Sequence, residues 1–78
     1  MPTVLRWGAY RAFFYSADGV EPPHVHVTNG DNEAKFWLDD LSVAVNLGYA
    51  PHEIRAIIRE LQPNRAELLK AWHEYFGD

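Results

Sequence analysis

The chain has 78 residues, of which 47% are apolar and 14% aromatic, and its seven Lys and Arg against eleven Asp and Glu leave a formal charge of -4. A chain this short makes a single domain, residues 1–78, that buries about 60–65% of its unfolded surface, so the aromatic share supplies a core that size alone would not. The absence of cysteine excludes disulfide scaffolds, thiolate zinc sites, iron–sulfur clusters and thiol nucleophiles, and the acidic balance argues against a large phosphate-binding surface.

No apolar run reaches the roughly 18 residues of a membrane span, and the first residues carry no signal-peptide pattern, so a cytoplasmic protein that engages no membrane is expected. Val4 to Trp7 and Tyr10 to Tyr15 read as strands rich in β-branched and aromatic residues, with Gly8-Ala9 as the turn between them. Rings stand at both parities of the second strand, so one face is core and the other needs a partner or a fold-back. Ser16 to Gly19 carries turn chemistry, and Pro22-Pro23 forces an extended entry into a strand from His24 to Thr28. Asn29-Gly30-Asp31-Asn32 predicts a hairpin with a type I′ turn, followed by a returning strand from Glu33 to Leu38.

Asp39-Asp40 bends the chain into a further strand, Leu41 to Leu47, with Val43, Val45 and Leu47 on one face. From Pro51 the period becomes helical: Ile54, Ile57, Ile58 and Leu61 share a stripe, Pro51 takes the first helical position and Glu53 lies in the positive first turn. Pro63 interrupts, and Asn64 is placed to cap a second helix striped by Leu68, Leu69, Trp72, Tyr75 and Phe76 and ended by Gly77. The polar sides, Arg55, Arg59 and Glu60 on the first helix and Arg65, Glu67, Lys70, His73 and Glu74 on the second, read as solvated, as does His52. The expected architecture is α+β: a small antiparallel sheet of four to five strands, then two C-terminal helices packed on one face.

Alternation sends Val25 and Val27 inward and places His24 and His26 together on the opposite face, roughly 6.5–7 Å apart at Cα. Three readings of that pair stand. Two imidazoles at this spacing suit one metal ion, whose remaining ligands would come from His52, His73, Asp39, Asp40 or a helix-start carboxylate, none fixed by spacing. The same pair titrates near neutral pH, and with Arg11 across the sheet as a phosphate clamp it would make a metal-independent ribonuclease using the 2′-hydroxyl as internal nucleophile. In the plainest reading both are half-exposed polar strand residues bonded to neighbours. Trp37 shares its parity with Glu33 and Lys35, so it is either an exposed recognition anchor or covered by a loop.

The blocks MPTVLRWGAYRAFFYS, EPPHVHV, AKFWLDD, LGYAPHEI and ELLKAWHEYFG, in that order, resemble the small bacterial proteins of domain-of-unknown-function family 4160 over nearly the full chain. The resemblance implies a prokaryotic protein encoded beside a second small protein, in an arrangement like a toxin–antitoxin module. It supplies no activity, cofactor or catalytic residue. The leading expectation is therefore a cofactor-free interaction protein whose patch of His24, His26 and Trp37, flanked by Arg11, meets the neighbouring gene's product or RNA. A histidine-dependent ribonuclease toxin and a metal-binding protein remain as alternatives. An unpaired edge strand favours strand addition, which adds a homodimer to the expected partners.

Overall fold

The computed structural model describes residues 3–77. Five strands, β1 (Thr3–Trp7), β2 (Tyr10–Phe13), β3 (His24–Asn29), β4 (Asn32–Trp37) and β5 (Val43–Leu47), precede helices α1 (Pro51–Leu61) and α2 (Arg65–Phe76). All the strand pairings are antiparallel and the spatial order is β1-β2-β3-β4-β5, a meander. The α+β architecture expected from the sequence is the one observed.

Two-residue loops close the first and third hairpins, with Trp7 opposite Tyr10 and Asn29 opposite Asn32. Gly8 and Gly30 take positive φ, +53° and +62°, whereas Ala9 and Asp31 do not. That sign pattern fits type II′, with glycine at the first central position, rather than the type I′ turn that Asn-Gly suggests. The reason is register: Asn29 and Asn32 pair, so Gly30 moves to the first central place.

One face of the sheet is the core. Ala12, Val25, Val27, Ala34 and Phe36 meet Ile54, Ile57 and Leu61 of α1 and Leu68 and Trp72 of α2, with Phe14, Leu38, Leu41 and Tyr49 closing the margins. The α1 start is satisfied by Glu53, whose Oε1 accepts the Ala50 N–H at 2.8 Å. Asn64 stands at the N-cap of α2 as expected, but its side chain makes no capping bond; its amide donates to the Glu60 carbonyl at 3.0 Å, across the 3-10 turn Gln62–Asn64. Arg65 is not a solvated helix residue either. Its Nε and Nη2 donate to the carbonyls of Leu38 and Asp39, both at 2.6 Å, and tether α2 to the exit of β4.

Leu41 falls outside β5. It adopts φ +61°, with its N–H bonded to the Trp37 carbonyl at 2.8 Å, so the chain turns there and its side chain joins the core. Val43, Val45 and Leu47 share a face as expected, and that face is open: they are 43%, 44% and 61% exposed.

Tyr49 lies in the core with its hydroxyl 3.3 Å from the Val27 carbonyl and 3.4 Å from that of Asn32, and burial, with nearby anionic groups, pushes its pKa up to about 12. An unfolded chain releases the phenolic proton from about pH 10. Between those values the unfolded state binds fewer protons than the folded one, so stability must fall as pH rises through the window. Urea melts from pH 9 upward should show a shallower alkaline decline for Tyr49→Phe than for the parent; parallel declines would remove the phenol as a cause.

Candidate functional site

The second face of the sheet is flanked at one end by α2, where Trp72 approaches His24, and Leu69 and Arg65 line a cavity with Trp37. Register places Arg11, Thr28, Glu33 and Leu47 in one row, Phe13, His26, Lys35 and Val45 in the next, and His24 beside Trp37 in a third. The chain between β2 and β3 folds back over this face, which is how the rings at both parities of β2 are accommodated. Phe13 is buried, and the histidines, expected half-exposed, are 0% (His24) and 8% (His26) accessible. Parity placed them correctly. Their burial comes from the returning connection, which no periodicity announces.

That connection delivers Asp18. The Tyr15 N–H donates to Asp18 Oδ2 at 2.8 Å, and the Asp18 N–H donates to the Tyr15 carbonyl at 3.1 Å, a local turn that aims the carboxylate at β3. His24 Nε2 lies 3.1 Å from Asp18 Oδ1, and His26 Nε2 lies 3.1 Å from Oδ2. The far nitrogens are also engaged. His24 Nδ1 is 2.9 Å from the Pro22 carbonyl, and because a carbonyl only accepts, Nδ1 is the nitrogen that carries hydrogen. His26 Nδ1 is 3.5 Å from Glu33 Oε2, and the same carboxylate accepts the Tyr15 hydroxyl at 3.1 Å.

Rings complete the enclosure. Phe13 stacks on His26 at 5.5 Å and Tyr15 meets its edge at 4.5 Å, while Trp37 and Trp72 approach His24 at 5.6 and 5.1 Å. Burial holds the His26 pKa below its ordinary value, against the opposing pull of Asp18 and Glu33, so this ring favours the neutral form. Burial and the Glu33 carboxylate raise that of Tyr15, keeping its hydroxyl a donor. At the rim, Glu21 forms an ion pair with Lys35, which lowers the Glu21 pKa.

Of the residues singled out in the sequence, Trp37 shares this face but is half-buried, with the Lys35 ammonium 4.7 Å above its ring. It walls a cavity of about 540 Å³ together with Pro22, Pro23, Asp39, Asp40, Arg65 and Leu69. Arg11 does not reach across to the imidazoles. Its guanidinium sits 4.5 Å over Phe13, the ring that separates it from His26, and its Nε is buried without a partner. Neither His52, His73, Asp39 nor Asp40 joins the histidines; among the described residues, the third member of a metal-competent cluster is Asp18. Sequence reasoning gave Asp18 to turn chemistry and missed Tyr15 and Glu33 as its supports. The available signal was an acidic residue in the turn that leads into the histidine strand.

Fold and site together define a small α+β domain with a largely buried Asp-His-His cluster beside an open cavity, and no described helix is long and apolar enough to cross a membrane. The family model of the Domain of unknown function (DUF4160) matches residues 9–73, and the chain belongs to that family. No curated protein and no solved structure matches the chain.

Proposed function

We propose that this is a small binding protein, one component of a prokaryotic, toxin–antitoxin-like two-gene module in the cytoplasm, which holds the product of the neighbouring gene through the cavity walled by Trp37. The observation that carries the reading is the cavity itself: about 540 Å³, with an indole, two prolines and Leu69 forming apolar walls and Asp39, Asp40 and Arg65 supplying polar groups. Its volume lies in the range of small-molecule and side-chain pockets, and an aromatic wall with few polar groups is the usual lining. The buried histidines take no part in contact. They act from behind, His24 fixing the Pro22 carbonyl and packing against the Trp37 edge.

The apolar side chains of β5 extend the surface available to a partner, and the unpaired outer edge of that strand suits strand addition by the partner or by a second copy. Burial of both imidazoles weighs against ribonuclease chemistry, since a general acid and base must reach the ribose.

Co-expression with the neighbouring gene should yield a stable complex, and Trp37→Ala should weaken it by about 30-fold or more, the effect of losing an aromatic anchor. Circular dichroism should show the variant still folded. No complex at micromolar concentration, or one equally tight with Trp37→Ala, overturns this reading. Binding to RNA alone would replace it.

A further inference from the structure

His24 presents an unsolved electrostatic problem. Its ring is fully buried, Nδ1 carries hydrogen toward the Pro22 carbonyl, and Nε2 is left without any hydrogen-bond partner although Asp18 Oδ1 stands 3.1 Å away. In the neutral ring Nε2 bears a lone pair, so two acceptors confront each other out of water, an arrangement that costs free energy unless a cation lies between them. A proton serves that purpose only when it lies near the line joining the two atoms, and His24 Nε2 makes no hydrogen bond to the carboxylate.

A metal ion needs the opposite geometry. With bonds of about 2.0–2.1 Å to each of two atoms 3.1 Å apart, the ion sits well off their connecting line and subtends an angle of about 95–100°, close to tetrahedral. His26 Nε2 is hydrogen-bonded to the other carboxylate oxygen at 3.1 Å, a bond that an incoming ion would replace, and the three prospective ligand atoms all lie within 4.8 Å of one another. We propose that Asp18, His24 and His26 bind one divalent transition-metal ion of the zinc class, with one coordination position left for water. The inference stands apart from partner binding at the Trp37 cavity.

Groups behind the ligands fit the assignment. Metal-ligating imidazoles characteristically donate their other N–H to a carbonyl or carboxylate, which fixes the ring and raises its basicity. His24 has the Pro22 carbonyl in that place, and His26 Nδ1 has the Glu33 carboxylate 3.5 Å away, itself held by the Tyr15 hydroxyl. Two imidazoles and one carboxylate select zinc, cobalt or nickel over magnesium and calcium, which prefer all-oxygen shells. The ion would also fasten the Asp18 turn to β3, fixing the intervening segment that supplies the Pro22-Pro23 wall of the cavity.

The test uses full-length protein without a histidine tag, stripped with chelator and titrated with zinc against a chromophoric competitor, then with cobalt for its ligand-field spectrum. One zinc per chain, a higher melting temperature and an intense tetrahedral cobalt spectrum are expected, with magnesium giving neither binding nor stabilisation. His24→Ala opens a hole beneath Trp72, so the deciding variants are Asp18→Asn, which keeps the shape of a partly exposed side chain, and His26→Gln. Each should lower zinc affinity at least 100-fold, and Glu33→Gln about 10-fold. Absence of stoichiometric binding by folded parent protein overturns the proposal. So does undiminished affinity in folded Asp18→Asn, a weak octahedral cobalt spectrum, or magnesium binding as tight as zinc.

Discussion

Replacing Trp72 by alanine is expected to lower the unfolding free energy by about 3–5 kcal/mol, the range for removing a buried large aromatic side chain. Trp72 is 4% exposed and joins three parts of the molecule: Phe14 beyond β2, Phe76 at the end of α2 and His24 on β3, at centroid distances of 5.3, 4.2 and 5.1 Å. A domain of this size has on the order of 5–10 kcal/mol in total, so the loss would remove from about a third to nearly all of it. Its removal also admits water to the His24 ring. Trp72→Phe, which keeps an aromatic ring, should lose less than half as much in urea denaturation at 25 °C. A loss below about 1 kcal/mol for the alanine variant would mean that the end of α2 is not docked as described.

The second large effect lies at Gly48, where the chain leaves β5. Gly48 has φ +110°, which side-chain-bearing residues rarely adopt, and a Cβ there would collide with Asn32 Oδ1. The turn around it is pinned: Asn46 Nδ2 donates to the Tyr49 carbonyl at 2.9 Å, and the Tyr49 N–H donates to Asn46 Oδ1 at 3.0 Å. This turn sends Tyr49 into the core immediately before α1. Gly48→Ala should therefore cost about 2–3 kcal/mol, from backbone strain together with displacement of the Asn32 side chain. The double variant Gly48→Ala/Asn32→Ala separates the terms, because deleting the Asn32 amide relieves the clash but leaves the φ penalty. Equal stability of Gly48→Ala and the parent would contradict the described backbone.

Repeating local patterns made most of the architecture readable in advance. Ile54, Ile57 and Leu61 form a helical stripe in the sequence and enter the core; Val25 and Val27 alternate with the histidines and do the same. Features that rest on long-range returns were not readable. The turn bearing Asp18 folds onto β3, and Leu69 and Arg65 come from α2 to meet Trp37, although nothing near Trp37 in sequence signals them. Leu41 was misplaced for a different reason: a non-glycine residue at positive φ has no compositional marker, so an apolar side chain next to a strand reads as part of it.

The meander has a kinetic consequence. Every strand pairs only with its neighbours in the chain, so each ladder closes at low loop entropy, which favours rapid assembly. Both helices lie after the sheet in the chain, and at about 5–20 residues per second their synthesis takes on the order of 1–5 s. During translation the strands leave the ribosome before the helices do. For that interval Val25, Val27 and Phe36 face water, and the nascent sheet depends on whatever shields it at the ribosome until α1 and α2 arrive to replace that cover.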